Sequence, residues 1–253
     1  MIVTLLTDFG EFYPGVMKGV ILKVNPKVSI VDITHSVEPQ NVLQGAFLLY
    51  HSYRFFPNAI HLAVVDPGVG GKREALVFEC RNHTFIAPNN GIAYPSARND
   101  GIERVWKIDE AKTSEITGEL SNTFHGRDVF APACAYASIG LLKEIAEPFY
   151  GEIVELELFD YVVKGNSVRC KVVFVDRFGN VVTNLKSKDV GCRFLRFEDV
   201  KIPIVRCYED VKRGEPLALI GSFGTLELSI REGNFSKEFG VKSNDEIEIE
   251  RII

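Results

Sequence analysis

The chain has 253 residues with 46% hydrophobic and 25% charged side chains, ordinary globular values that exclude disorder, collagen and coiled coil. Its formal net charge of −5, without any block of like charges, argues against a general nucleic-acid or membrane-surface binder. No window approaches the roughly 18 unbroken apolar residues of a membrane span, and MIVTLLTDFG meets Asp8 too early for a signal peptide, so a cytoplasmic chain is expected.

Ile2 to Thr7 reads as a first strand, ending in Asp8-Phe9-Gly10. Pro14 opens a segment with Val16, Met17, Val20, Ile21 and Leu22 at helical spacing. Val28 to Ile33 is a β-branched run closed by Thr34-His35-Ser36, and Asn41 is placed to cap a helix carrying Val42, Leu43, Ala46, Phe47, Leu48 and Tyr50. A third strand, Ile60 to Val65, ends at Asp66-Pro67-Gly68. This alternation predicts parallel strands with crossover helices. Ligands collect at the carboxyl ends of such strands, where Asp8, His35 and Asp66 stand.

Ala75–Glu79 and Thr84–Pro88 read as a hairpin, and Asp128–Ile139 as an Ala-rich helix with Asp128 as its N-cap. Beyond about residue 160 short strands take over: Val168–Val175, Val181–Asn184, Lys201–Arg206, Leu217–Gly221, Leu226–Ile230 and Glu246–Ile252. The expected fold class is therefore an α/β N-terminal domain with a central, mainly parallel sheet (1–160) and a smaller all-β, barrel-like C-terminal domain (161–253).

Several tempting motifs fail. The five cysteines (80, 134, 170, 192 and 207) are odd in number and form no CxxC, so reduced thiols are expected rather than disulfides or a zinc site. Asp8-Phe9-Gly10 spells a kinase triplet, but nothing upstream holds the strand lysine or catalytic loop. Gly68 to Arg73 falls short of phosphate-loop spacing, and the histidines form no HExxH or HxH pair. No metal or cofactor is expected.

What remains is polar residues in unusual settings. Asp8 fits either a cap or a carboxylate for a ribose diol. Asp66 fits either a turn or a site, and His125 stands between a Thr-rich loop and a helix. Asp176-Arg-Phe-Gly-Asn180 is a hairpin with Gly179 at positive φ, or a loop in which Phe178 stacks on a base.

Taken in order, Thr7-Asp-Phe-Gly10, Val16-Met-Lys-Gly19, Asp32-Ile-Thr-His-Ser36, Val65-Asp-Pro-Gly-Val-Gly70, Ala87-Pro-Asn-Asn-Gly91, Thr123-Phe-His-Gly-Arg-Asp128 and Asp176-Arg-Phe-Gly-Asn180 match one family. The chain resembles the SAM hydroxide adenosyltransferases, hydrolases of S-adenosyl-L-methionine (SAM) that form adenosine and are related to fluorinase and chlorinase. The resemblance places Asp66, Arg73 and His125 around an attacking water, the set that marks the hydrolase branch. It places Asp8 on the ribose diol, Asp176 on the methionine ammonium, Phe178 and Asn180 on adenine, and Ser222 on the methionine carboxylate. Phe223 stands where fluorinase has a carboxylate-binding arginine, and Gln40 where it has a tryptophan against the ribose. Gly126 replaces a hydroxyl residue of the fluorinase halide site, which disfavours fluorination.

The expected reaction is in-line attack of water on the ribose C5′, giving adenosine and L-methionine without metal or redox cofactor. Asp66 takes the proton or orients the water, while Arg73 and His125 stabilise a hydroxide-like oxygen. The alternatives are a non-catalytic SAM- or adenosine-binding protein and a chlorinase. The resemblance also implies a homotrimer with sites at subunit interfaces, while charge and hydropathy leave neither nucleic acid nor membrane expected as a partner.

Overall fold

The computed structural model describes residues 1–252 and divides the chain into two compact units, Met1–Leu156 and a second from Glu157 onward. In chain order the first unit contains β1 (Ile2–Thr7), α1 (Phe12–Val24), β2 (Ser29–Thr34), α2 (Val42–Ser52), β3 (Ala59–Val64), β4 (Ala75–Cys80) and β5 (Thr84–Pro88). It continues with α3 (Tyr94–Asp100), β6 (Ile102–Ile108), α4 (Glu110–Thr117), α5 (Ala131–Ser138), α6 (Leu142–Ile145) and β7 (Ala146–Pro148).

The strands form one sheet in the order β2-β1-β3-β5-β4-β6-β7. It is parallel from β2 to β5 and antiparallel from β5 to β7. Strands β1 and β3 are central and covered on both faces, which is why their sequences are near-continuous apolar runs rather than alternating ones. Val3, Leu5, Leu62 and Val64 pack with Met17 and Ile21 of α1 and with Phe130 in one buried cluster. Asn41 caps α2 as expected, its Oδ1 accepting the Gln44 N–H at 2.9 Å. Pro14 lies in the first turn of α1, where a missing N–H costs nothing.

The antiparallel half has a consequence for function. Because β4 runs against β5, and β6 against β4, the start of β4 and the end of β6 reach the edge where the parallel strands end. Asp8, Asp66, Arg73 and Glu110 therefore share one edge of the sheet.

The predicted helix at 128–139 is divided. One π-helical turn (Gly126–Phe130) precedes α5, and such turns are frequent at functional sites. Asp128 is not the helix N-cap. It is fully buried within the π turn, where its carboxylate accepts the Ser121 N–H at 2.8 Å and Arg127 Nε at 2.6 Å. Elements α3, β6, α4, α6 and β7 have no counterpart among the expected segments. Strand β6 carries Glu103, Arg104 and Lys107 among its apolar residues, and its pairing with β4 makes it a strand.

The second unit contains β8 (Val162–Lys164), β9 (Ser167–Val175), β10 (Val181–Lys186), β11 (Phe194–Phe197), β12 (Val200–Pro203), β13 (Pro216–Ile220), β14 (Thr225–Ile230), α7 (Phe235–Phe239) and β15 (Glu246–Ile252). Its strands form an antiparallel, barrel-like sheet in the order β12-β11-β15-β9-β10-β14-β13, with β8 on β9. A bridge between Ile204 and Ala218 draws the two edges together. In β15, Ile247 and Ile249 face the core while Glu246, Glu248 and Glu250 face out, the period-2 pattern of a half-buried strand. All five cysteines are free thiols. Among the described residues no helix is long and apolar enough to cross a membrane.

Candidate active site

Asp66 follows β3 and Arg73 precedes β4, so one short connection carries both to the edge of the sheet. Asp66 Oδ2 accepts two hydrogen bonds from Arg73, at 2.9 Å from Nε and 2.7 Å from a terminal nitrogen. The same terminal nitrogen lies 2.8 Å from His125 Nδ1. Arginine only donates, so His125 Nδ1 accepts and the ring proton sits on Nε2. Burial, and then the Arg73 charge, push His125 below its ordinary 6.5, against smaller opposing pulls from Glu110, Asp66 and Asp128. The imidazole is thus neutral near pH 7. Asp66, Arg73 and His125 side chains are only 4%, 10% and 4% exposed, and Arg73 lies over the Phe130 ring at 5.3 Å. The other Asp66 oxygen, Oδ1, is buried and has no hydrogen-bond partner among the described residues. A buried, unpaired carboxylate oxygen beside a charged fork is an acceptor held ready for a ligand proton.

Two asparagines hold this arrangement. Asn90 donates to the Val65 carbonyl at 2.8 Å, fixing the backbone just before Asp66. Asn89 donates to Glu74 at 3.0 Å, next to Arg73, and that bond holds the Glu74 carboxyl below its usual range. The Ala87–Gly91 motif marks both residues in the sequence, but their targets are distant in the chain and only folding reveals them. Glu110, unforeseen in the sequence, lies 3.5 Å from Arg73 and 3.8 Å from His125. Its signal was the helix-capping Asp109 directly before it, whose side chain accepts the Ala111 and Lys112 N–H groups.

Asp8 stands at the end of β1, half-buried, and Oδ2 accepts the Gln40 N–H at 2.9 Å. Burial raises its carboxyl above the ordinary 3.8, and the charge of Asp66 adds to the effect. Gln40 adopts the left-handed conformation, with φ 66°, to present that N–H. The Asp32-Ile-Thr-His-Ser36 motif supports the same turn from behind: Lys18 pairs with Asp32 at 2.5 Å, Asp32 with His35 at 3.1 Å, and His35 bonds Thr7 at 2.9 Å. At Gly126 a Cβ would stand 2.8 Å from Phe9 Cε2 and 3.2 Å from Met17 Sδ, so a hydroxyl side chain there would have to displace the Phe9 ring.

In the second unit, Asp176, Phe178 and Asn180 share one turn between β9 and β10. Asp176 Oδ1 accepts the N–H groups of Phe178 (2.8 Å) and Asn180 (2.9 Å), while Oδ2 accepts Asn180 Nδ2 at 3.0 Å. Gly179 has φ 88°, the positive value expected for this hairpin. Phe178 is 60% exposed, with Arg177 over its ring at 4.8 Å. Ser222 and Phe223 occupy the turn between β13 and β14, at the other end of the β10–β14 ladder: Val181 pairs with Leu228, Lys186 with Thr225. The Phe223 ring meets Phe174 of β9 at 6.1 Å. The first unit thus brings Asp8, Asp66, Arg73 and His125 to one edge.

Comparison with known proteins matches residues 3–146 to a SAM hydroxide adenosyltransferase N-terminal domain and residues 170–248 to the corresponding C-terminal domain. The chain is similar to the (R)-S-adenosyl-L-methionine hydrolase of Methanocaldococcus jannaschii, with 37% identity covering 98% of this chain and 95% of that protein. It is 33% identical to the enzyme of the same name from Thermus thermophilus, covering 95% and 96%, and 24% identical to a fluorinase of Actinoplanes sp., covering 96% and 95%. A crystal structure of an uncharacterized conserved protein from Thermotoga maritima superposes with a TM-score of 0.85 at 35% identity, covering 99% of this chain and 100% of that one.

Proposed function

We propose that this chain, which belongs to the SAM hydroxide adenosyltransferase family, hydrolyses S-adenosyl-L-methionine to adenosine and L-methionine. The sulfonium is a stereocentre, and the hydrolases of M. jannaschii and T. thermophilus are named for its (R) form, so (R)-SAM is the substrate of this reading. Asp66, Arg73 and His125 are its catalytic residues. Asp8 binds the ribose, and Asp176, Phe178, Asn180, Ser222 and Phe223 the adenine and methionine ends.

The observation that carries the mechanism is the buried, unpaired Asp66 Oδ1. Water hydrogen-bonded there attacks C5′ in line with sulfur. The O–C5′ bond forms as the C5′–S bond breaks, and its electron pair goes to sulfur, which leaves as a neutral thioether. The water proton passes to Asp66, which afterwards releases it to solvent. A neutral leaving group needs no general acid, so the site has only to present and polarise the water. Arg73 fixes Asp66 through Oδ2 and leaves Oδ1 for the water. Neutral His125, protonated on Nε2, is a donor for the oxygen as it becomes hydroxide-like. A filled space at Gly126 favours water over a halide held by a hydroxyl there.

Chromatography of purified protein with each SAM epimer, with and without chloride, tests the reading. The expected result is adenosine and methionine in equal amounts, faster from (R)-SAM, indifferent to chloride and lost in Asp66→Ala. Intact SAM, or a chlorinated nucleoside, would overturn it. A cytoplasmic homotrimer with sites at subunit interfaces completes the proposal, carried by family resemblance. Light scattering at three times 28.3 kDa supports the trimer, and a monomer mass sinks it.

A further inference from the structure

Glu110 faces Arg73 from a direction that neither Asp66 nor His125 occupies. Topology puts it there: Leu76 of β4 pairs with Lys107 of β6, so β6 ends beside the start of β4. Asp109 then caps α4 and fixes Glu110 as its first residue. Glu110 Oε1 lies 3.5 Å from the one Arg73 terminal nitrogen that Asp66 and His125 leave unused, and 3.8 Å from His125 Nδ1. Its side chain is 37% exposed and lines a polar cavity of about 460 Å³ together with Lys72, Arg73, Lys107 and Glu147.

The Arg73 guanidinium is held on Nε and one terminal nitrogen by Asp66 and His125, and on its face by Phe130. Those contacts leave the remaining nitrogen as a free end about which the plane can tilt, and tilting would lengthen the bonds to Asp66 and His125 together. A carboxylate on that end closes the arrangement, and its charge offsets that of Arg73 beside the imidazole. We propose that Glu110 is a positioning residue of this site, a fourth side chain that anchors the outer nitrogen of Arg73 and keeps the guanidinium aimed at Asp66 and His125. The inference deepens the hydrolase reading and, for its kinetic half, rests on it.

The charged groups facing His125 are Arg73 and Asp66 from the β3–β4 connection, Glu110 from α4 and Asp128 from the π turn. Glu110→Gln keeps an oxygen at the site and removes the charge, Glu110→Ala removes both, and Glu110→Asp keeps the charge. Two readouts are needed: kcat and KM from adenosine release, and titration of the His125 imidazole by NMR, assigned with His125→Gln. Glu110→Ala is expected to lower kcat about tenfold, within the ~10²-fold that an ångström of misplacement costs, with KM changed less than twofold. In Glu110→Gln, kcat falls less than in Glu110→Ala, and its acid limb and the His125 titration midpoint move to lower pH. Glu110→Asp restores the midpoint.

An unchanged kcat in Glu110→Ala, or a His125 midpoint unmoved in both Glu110→Ala and Glu110→Gln, overturns the inference and leaves Glu110 a solvated helix-end residue. If the wild-type protein does not hydrolyse SAM, the functional reading falls. The NMR titration still decides Glu110, a moved midpoint upholding its contact with the site and an unmoved one removing it.

Discussion

Asp66 divides its two oxygens between tasks, one spent on Arg73 and one kept free, and the state of His125 decides whether that division holds. Arg73 bonds His125 Nδ1 only while that nitrogen is unprotonated. Because the fold holds His125 below its ordinary 6.5, the bond persists through neutral pH and somewhat below. As pH falls through the depressed value, a proton on Nδ1 sets cation against cation and releases the guanidinium. The kcat profile should therefore be flat above pH 6.5 and fall on the acid side, with its limb below 6.5. A stopped-time adenosine assay from pH 4.5 to 8.5 checks this (roughly two units either side of the ordinary histidine value). Gly126 belongs to the same scale. Gly126→Ser drives a Cβ to 2.8 Å from Phe9 Cε2, and overpacking of this kind should cost about 1–3 kcal/mol, read as a lower urea midpoint.

At the scale of elements, chain turns convert sheet edges into a site. The cap of α2 illustrates it: Asn41 starts the helix, and the preceding Gln40 turns its N–H onto Asp8. Asn41→Ala should cost about 1 kcal/mol and weaken adenosine binding through Asp8 more than it changes kcat, which calorimetry beside steady-state kinetics would separate. Two strands, β1 and β3, and the β4–β5 turn also share a buried polar ladder away from that edge. The Ala59 N–H points at His83 Nδ1, so that nitrogen accepts; His61 Nε2 then donates to it at 3.1 Å, and Thr4 donates to His61 Nδ1 at 2.7 Å. One proton arrangement satisfies the chain only with both rings neutral. Burial pushes His61 down to about 3, with the neighbouring His83 adding to it.

Across the whole molecule, all five histidines fall in the first unit, as does the single tryptophan, Trp106. The sign of acid sensitivity follows. Between about 3 and 6.5 the unfolded chain binds a proton at His61 that the fold refuses. The share of stability that His61 carries is thus complete above pH 6.5 and falls at roughly 1.4 kcal/mol per pH unit below it. Urea unfolding followed by Trp106 fluorescence should show a midpoint that declines from pH 6.5 to 4.5, and His61→Asn should flatten the decline. An equal slope in the variant would assign the acid sensitivity elsewhere.

Local chemistry determined much of this protein without help. Apolar runs bounded by polar turns mark β1, β2 and β3; Asn41 announces a cap; Gly179 announces a positive φ; and the Asp66, Arg73 and His125 motifs carry their family with them. These features are legible because each depends on neighbours within a few residues. Tertiary structure alone decided the rest. The antiparallel return of β4 and β6 brings Glu110 to Arg73 across 37 positions of chain. Asn90 reaches the Val65 carbonyl across 25, and Asp128 is held inside a π turn by Ser121 and Arg127 instead of capping a helix. Such contacts are set by strand order, because polar groups taken out of water must pair with whatever the topology sets opposite them.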